Sequence, residues 1–312
     1  MKKNSYQFHS DLTRYANQNI PVIPAVVPVL QKLMGILYRL ETSDKEVTVS
    51  RLSIPVQDRT SLRGILYTPI HAKDHGPCLL FFHGGGFVYN AAPHHFALAR
   101  TLAKQLGWKT ILVDYRLAPK YKYPTAPNDC FHAYRWILNH ADSLRIDPTR
   151  IAVCGDSAGG NLATVLCLMA RDQAVPMPKA QMLLYPVTDR RMITDSCKQY
   201  TDTPMCNTRD MEKYFSMYLE KLEKGEPENI AYLSPMEAGS LMNLPAAYVE
   251  AAEYDCLHDE GIAYAKAMQK AGVKVEIHEV KEAMHGYDIA ADSDFVNRLL
   301  TQRIHFLRKA ME

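Results

Sequence analysis

The sequence predicts an α/β chain: a mostly parallel central sheet flanked by helices and carrying a helical cap. Three observations predict it. Short apolar runs of strand length recur from about residue 46 onward. Longer stretches of helical period separate them. Two further segments, residues 1–45 and about 188–240, break the alternation. Strands that are apolar throughout need cover on both faces, and helices between parallel strands supply it.

The strands follow in order. Val47–Ile54 and Leu62–Tyr67 read as an opening antiparallel pair. Cys78–Phe82 is a buried strand, followed by Thr110–Tyr115, Ile151–Cys154 and Ala180–Tyr185. Leu244–Val249 and Val273–Val280 complete the set. Among the helices, Cys130, Ala133, Tyr134, Ile137 and Leu138 mark one apolar face. The stretch Ala158–Ala170 is almost wholly small or apolar, which predicts a buried helix.

The two interruptions supply the cap. Residues 1–45 carry a helical stripe at Leu30, Leu33, Met34 and Leu37. Residues 188–240 include a helix with Met211, Tyr214, Phe215, Tyr218, Leu219 and Leu222 on one side. Asn207 is placed to cap its start and Gly225 its end. Insertions after sheet strands tend to carry function. The two segments are therefore expected to pack together as a lid on a main domain of residues 46–312.

Composition narrows the class. The chain has 312 residues, 47% apolar and 22% charged, enough to bury a sizeable core without disulfide or metal staples. Net charge is +2 with acids and bases interspersed, unlike the basic stripe of a nucleic-acid binder. The seven cysteines (Cys78, Cys130, Cys154, Cys167, Cys197, Cys206 and Cys256) form no C-x-x-C pair. Several fall in apolar runs, as free thiols of a reducing compartment do. Lys2 and Lys3 precede an apolar stretch from Pro21 to Leu30, but prolines interrupt it and no A-x-A site follows. No run reaches the length of a membrane span. A soluble, cytoplasmic protein is expected.

Chemistry enters at Gly155-Asp156-Ser157-Ala158-Gly159. Ser157 follows one predicted strand and precedes the buried helix, the setting that a G-x-S-x-G nucleophile elbow requires. Its hydroxyl should project at the C-terminal end of the sheet, where open α/β sheets bind ligands. The rival reading, a phosphate-binding loop, lacks a following Gly-Lys-Ser/Thr and a G-x-G-x-x-G after the first strand. A second signal is independent. Strand Cys78–Phe82 runs into His83-Gly84-Gly85-Gly86-Phe87. Three successive glycines are costly in backbone entropy unless bare N–H groups must approach a ligand. Gly85 and Gly86, with the N–H of Ala158, are expected to receive a developing oxyanion. His83 and Gly84 are expected to shape the loop rather than react.

These blocks, with Asp114-Tyr-Arg-Leu-Ala-Pro119, Tyr123-Pro124, Asp129, Asn161, Asp255-Cys-Leu-His-Asp-Glu-Gly261 and His285-Gly286, resemble the hormone-sensitive-lipase-like family of α/β-hydrolase esterases, which includes bacterial acetyl esterases and carboxylesterases. The matching blocks keep the family's order from about residue 47 to the end. The resemblance implies the α/β-hydrolase fold, helical caps over the site, and hydrolysis of short-chain acyl esters. Two departures stand out: family members usually have Pro at Cys256 and Glu at Lys120. The first 45 residues match only in general character.

The resemblance places an acid at Asp255 and a base at His285. Position agrees: each follows a predicted strand, on the rim that carries Ser157, and the order Ser, Asp, His is that of α/β-hydrolases. Asp259 and Glu260 fit better as first-turn acids of the next helix. His258 precedes that helix, His278 lies within a strand, and His94 and His95 are helix neighbours expected to face different ways. No H-E-x-x-H or other metal-ligand spacing appears, so no cofactor and no metal is expected. Tyr287 and the Met and Tyr residues near 200–218 are candidates to line the pocket. The expected partner is a small-molecule ester, with a homodimer as the family's common assembly. Alternatives are an amidase or peptidase on the same fold, and a non-catalytic small-molecule receptor on a hydrolase scaffold.

Overall fold

The computed structural model describes residues 6–56, 60–219 and 229–312. A 3-10 turn, Ser10–Tyr15, opens the described chain. Helix α1 (Val27–Met34) begins with a proline in its first turn, where a missing N–H costs nothing, and ends at Gly35. Helix α2 (Leu37–Leu40) follows. Strands β1 (Val47–Pro55) and β2 (Ser61–Pro69) pair antiparallel. Then come β3 (Gly76–Phe82), α3 (Pro93–Leu106), β4 (Lys109–Asp114), α4 (Thr125–Asn139) and α5 (Ala141–Leu144). Next are β5 (Ile146–Asp156), α6 (Ala158–Asp172), β6 (Ala180–Leu184), α7 (Asp195–Gln199) and α8 (Thr208–Tyr218). Strand β7 (Ala246–Tyr254), α9 (His258–Lys270), β8 (Val275–Met284) and α10 (Asp294–Ala310) complete the chain.

All eight strands join one sheet in the order β1-β2-β4-β3-β5-β6-β7-β8. Only β2 runs against its neighbours; from β4 to β8 every pairing is parallel. The side chains of β3 show why its run is continuous. Cys78, Leu80 and Phe82 join the core shared with α4, α6 and α9, while Leu79 and Phe81 join the core shared with α3 and α10. A strand sandwiched this way needs an apolar residue at every position. Helix α6 is buried from Ala158 to Ala170, as its composition predicts.

One ionic cluster lies inside the second core. Arg303 of α10 is fully buried, with Nε 2.9 Å from Glu250 Oε1 and Nη1 2.6 Å from Asp288 Oδ1. The hydroxyl of Tyr185 donates to Asp288 at 2.7 Å, that of Tyr248 donates to Glu250 at 2.7 Å, and Tyr287 also donates to Glu250. Burial works against the guanidinium charge, but the two carboxylates outweigh it and hold Arg303 firmly protonated.

Some boundaries differ from expectation. Asn207 does cap α8, its side chain accepting from Asp210 N, but α8 ends at Tyr218; Leu222 and Gly225 lie outside the described residues. The stripe in residues 1–45 is split, because α1 stops at Gly35 and Leu37 opens a second helix. Leu30 and Met34 turn inward to line a cleft, whereas Leu33 is 57% exposed. Glu260 is a first-turn acid of α9, as expected, but it does not face solvent. It is buried, and its Oε1 accepts the N–H groups of Thr188 and Asp189 at 2.7 and 3.1 Å. Burial raises its pKa to about 8.

Candidate active site

The C-terminal ends of β3, β5, β7 and β8 lie on one edge of the sheet, and each delivers a piece of the site. Strand β5 hands over to α6 in a sharp turn with Ser157 at its apex, φ 53° and ψ −118°. This is a strained conformation for a residue with a side chain. It is held by Ser157 N donating to Leu184 O at 2.8 Å and by Val187 N donating to Ser157 O at 3.1 Å. The turn also requires Gly159, where a Cβ would collide with the carbonyls of Phe82 and His83.

The hydroxyl of Ser157 meets a ring from the far end of the chain. His285 is the first residue after β8, and its Nε2 lies 2.9 Å from Ser157 Oγ. Its Nδ1 lies 2.7 Å from Asp255 Oδ2. Asp255, fully buried after β7, takes the N–H of Leu257 on its other oxygen at 3.0 Å. Burial alone would push the His285 pKa down, but the charge of Asp255 and its hydrogen bond reverse that and raise it to about 9. The three side chains named at the outset thus converge in one hydrogen-bonded line. His258 pairs instead with Asp259 at 2.8 Å, and His278 stacks on Tyr248 with ring centres 4.4 Å apart. Neither lines the cleft.

The glycine loop crosses in front of Ser157. At Gly86 φ is +61°, and a Cβ there would run into the ring of Tyr214. Among the described residues no acceptor takes the N–H groups of Gly85, Gly86 or Ala158. His83 is buried behind the loop, stacked on Tyr115 with ring centres 4.4 Å apart and with Nδ1 2.7 Å from Gly84 O. Burial lowers its pKa to about 3, so it stays neutral.

Sequence reasoning missed one pair. His95 of α3 faces Asp156, the residue before Ser157, with Nε2 to Oδ2 at 3.1 Å. His95 Nδ1 accepts from Ala92 N at 2.8 Å, so its proton sits on Nε2 and is donated to Asp156. The other oxygen of Asp156 takes the N–H of Gly84 at 3.0 Å. Burial opposes the Asp156 charge, but His95 overcomes it and brings the pKa down to about 2. His94 does not diverge from His95, since their rings lie 4.0 Å apart. The bond from Ala92 N bends the His95 ring back toward the helix start, and His94 lines the cleft beside it.

The cleft encloses about 800 Å³ over Ser157 and His285. Its walls include Gln18, Ile20, Leu30 and Met34 from the first segment and Met205, Cys206 and Tyr214 from the second. The segments touch directly: Met205 N donates to Gln18 O at 2.9 Å. Tyr287, a candidate for the wall, turns into the Arg303 cluster instead. Its hydroxyl has strong ionic acceptors there, and none is needed in the cleft.

Residues 79–289 match the family described as alpha/beta hydrolase fold. The chain belongs to that family. It is 34% identical over 249 residues to an ethyl acetate hydrolase of Pseudomonas putida, covering 78% of this chain and 77% of that one. It is 34% identical over 284 residues to the esterase LipI of Mycobacterium tuberculosis, covering 85% and 88%. Among solved structures it is similar to a bacterial heroin esterase, with TM-score 0.88, 32% identity and 98% of each chain covered. This α/β hydrolase is an esterase. No helix among its described residues is long and apolar enough to cross a membrane.

Proposed function

We propose that this esterase is a serine carboxylesterase acting on short-chain acyl esters, acetyl esters above all, through Ser157, His285 and Asp255. The observation that carries this reading is the line of two hydrogen bonds, 2.9 Å from Ser157 to His285 and 2.7 Å from His285 to Asp255. In the proposed mechanism, His285 Nε2 takes the hydroxyl proton as Ser157 Oγ attacks the ester carbonyl. Asp255 fixes the ring's tautomer and stabilises the imidazolium. The carbonyl oxygen, now negative, is received by the N–H groups of Gly85, Gly86 and Ala158, each worth on the order of 10²–10³ in rate. His285 returns the proton to the departing alcohol, leaving an acyl-enzyme. Water, deprotonated by His285, then releases the acid.

The acetyl preference is supported by the likeness to a protein named for ethyl acetate hydrolysis. We read residues 1–45 and about 188–240 as a two-part cap on the domain 46–312, a reading supported by the Met205–Gln18 hydrogen bond across the cleft roof. The seven buried, free thiols support a reducing, cytoplasmic setting.

Ser157→Ala tests the assignment. The variant should fold as the parent does and lose nearly all hydrolysis of p-nitrophenyl acetate, on the order of 10⁴-fold or more. Turnover within tenfold of the parent would overturn it. Labelling of Ser157 by a fluorophosphonate separates this reading from a receptor, and the ratio of ester to anilide turnover separates it from an amidase.

A further inference from the structure

Ten large apolar side chains are exposed among the described residues, and seven of them fall between residues 20 and 40. The other three, Ile70, Ile193 and Met242, are scattered singly. Five of the seven, Val26, Val29, Leu33, Ile36 and Leu40, follow one another at steps of three and four residues across two short successive helices, Val29 and Leu33 on α1, Leu40 on α2, and Val26 and Ile36 at their N-caps. Leu33 is 57% and Leu40 is 65% exposed. Single exposed apolar residues are ordinary, but a contiguous set marks an interaction surface.

The stripe is held outward. On the opposite side of α1, Val27 is fully buried, and Gln31 Nε2 donates to Val88 O and Ala118 O at 2.7 Å each. Helix α1 therefore cannot roll to hide its outer face without breaking those bonds. The charges of the segment are of one sign. Residues 20–40 hold Lys32 and Arg39 and no carboxylate. The segment also meets the cleft, since Ile20 is part of the exposed patch and lines the cavity over Ser157.

We propose that this face docks on an anionic lipid bilayer. The apolar stripe enters the headgroup boundary and Lys32 and Arg39 meet the anionic headgroups, the pairing that holds amphipathic elements flat on membranes. A second copy of the chain fits less well. It would set Lys32 and Arg39 near their own copies with no acid in the segment to pair them. Pro21, Pro24 and Pro28 also keep the segment from extending into the continuous helix that a coiled-coil partner needs. Docked this way, the mouth of the cleft faces the lipid, and esters dissolved in the bilayer reach it without crossing water. Only that last consequence rests on the esterase reading.

Co-sedimentation with phosphatidylcholine vesicles, with and without phosphatidylglycerol, tests the proposal on the full chain. The protein should bind the anionic vesicles roughly tenfold better than the neutral ones and release them at high salt. Val29→Glu combined with Leu33→Glu, both on the outward face, should abolish binding and leave hydrolysis of dissolved p-nitrophenyl acetate unchanged. Failure to bind anionic vesicles, or equal binding by the double variant, overturns the proposal. So does a dimer that the double variant splits while neither protein binds vesicles. Ser157→Ala should bind vesicles as the parent does, so failure of the docking and failure of the catalytic assignment are read separately.

Discussion

Asp156 and His95 lie 61 residues apart in the chain, and their side chains meet at 3.1 Å behind the glycine loop. The pair ties three elements together: the turn that carries Ser157, the start of α3, and the N–H of Gly84. Asp156 thereby links the proposed nucleophile to the loop proposed to receive the oxyanion.

Loosening that link should slow the reaction without touching the reacting groups. His95→Ala removes the donor that holds Asp156, and a displacement of the loop by about 1 Å costs on the order of 10²-fold in rate. The loss should appear in kcat, with KM for p-nitrophenyl acetate little changed. A kcat within twofold of the parent would show that the pair does not set the loop's position.

The pH profile follows from His285. Its pKa is raised to about 9, and only the neutral ring can accept the Ser157 proton. Activity should therefore climb between pH 7 and 9 rather than level off above 6.5. Stability moves the other way. A histidine whose folded pKa exceeds its unfolded value stabilises the fold below the unfolded value, and that contribution is lost as pH rises through about 9. Asp255→Asn removes the charge that raises the pKa, so the limb should shift downward while the rate falls about 10⁴-fold. A profile that stays in place in Asp255→Asn would argue against this coupling.

The glycine at 86 can be tested by a compensating pair. A methyl group there meets Tyr214, so Gly86→Ala should lose at least tenfold in turnover by displacing the loop. Adding Tyr214→Ala should return part of that loss, the remainder reflecting the left-handed backbone. That conformation costs a residue with a Cβ about 1–2 kcal/mol. No recovery in the double variant would mean that backbone strain alone accounts for the loss.

The buried cluster predicts a stability effect. Arg303→Ala leaves Glu250 and Asp288 buried without their cation, a change that costs about 3–5 kcal/mol. Urea denaturation should show it as a lowered midpoint at unchanged slope. Because Asp288 lies three residues beyond His285, activity in the folded variant should fall as well.

The strands were legible because each inner one is covered on both faces, so its run of apolar residues has sharp ends. Ser157 was legible because it sits next to such an end; Asp255 and His285 were placed by the family resemblance, and His285 follows β8, an edge strand whose residues are mostly part-exposed or exposed. The Asp156–His95 pair was not. Its partners come from a turn and from a helix start, and helical period says nothing about a ring bent back onto Ala92 N. Arg303 was invisible for a related reason. One of three arginines in a C-terminal helix, it reads as a solvated charge like Arg298 and Arg308 until the fold brings Glu250 and Asp288 beneath it.

The first described segment is bound to the last parts of the chain. His9 N donates to Glu282 O at 2.9 Å, Tyr15 Oη donates to Ile289 O at 3.2 Å, and Asp11 accepts from Phe295 N at 3.1 Å. During synthesis residues 9–15 leave the ribosome well before residues 282–295 exist. They have no native partner until nearly the whole hydrolase body has been made, and the apolar residues between 20 and 40 emerge next. A nascent chain can therefore seat α1 once Val88 and Ala118 have emerged, whereas the segment before it waits for the final strand and helix, so the two halves of the N-terminal region dock at opposite ends of synthesis.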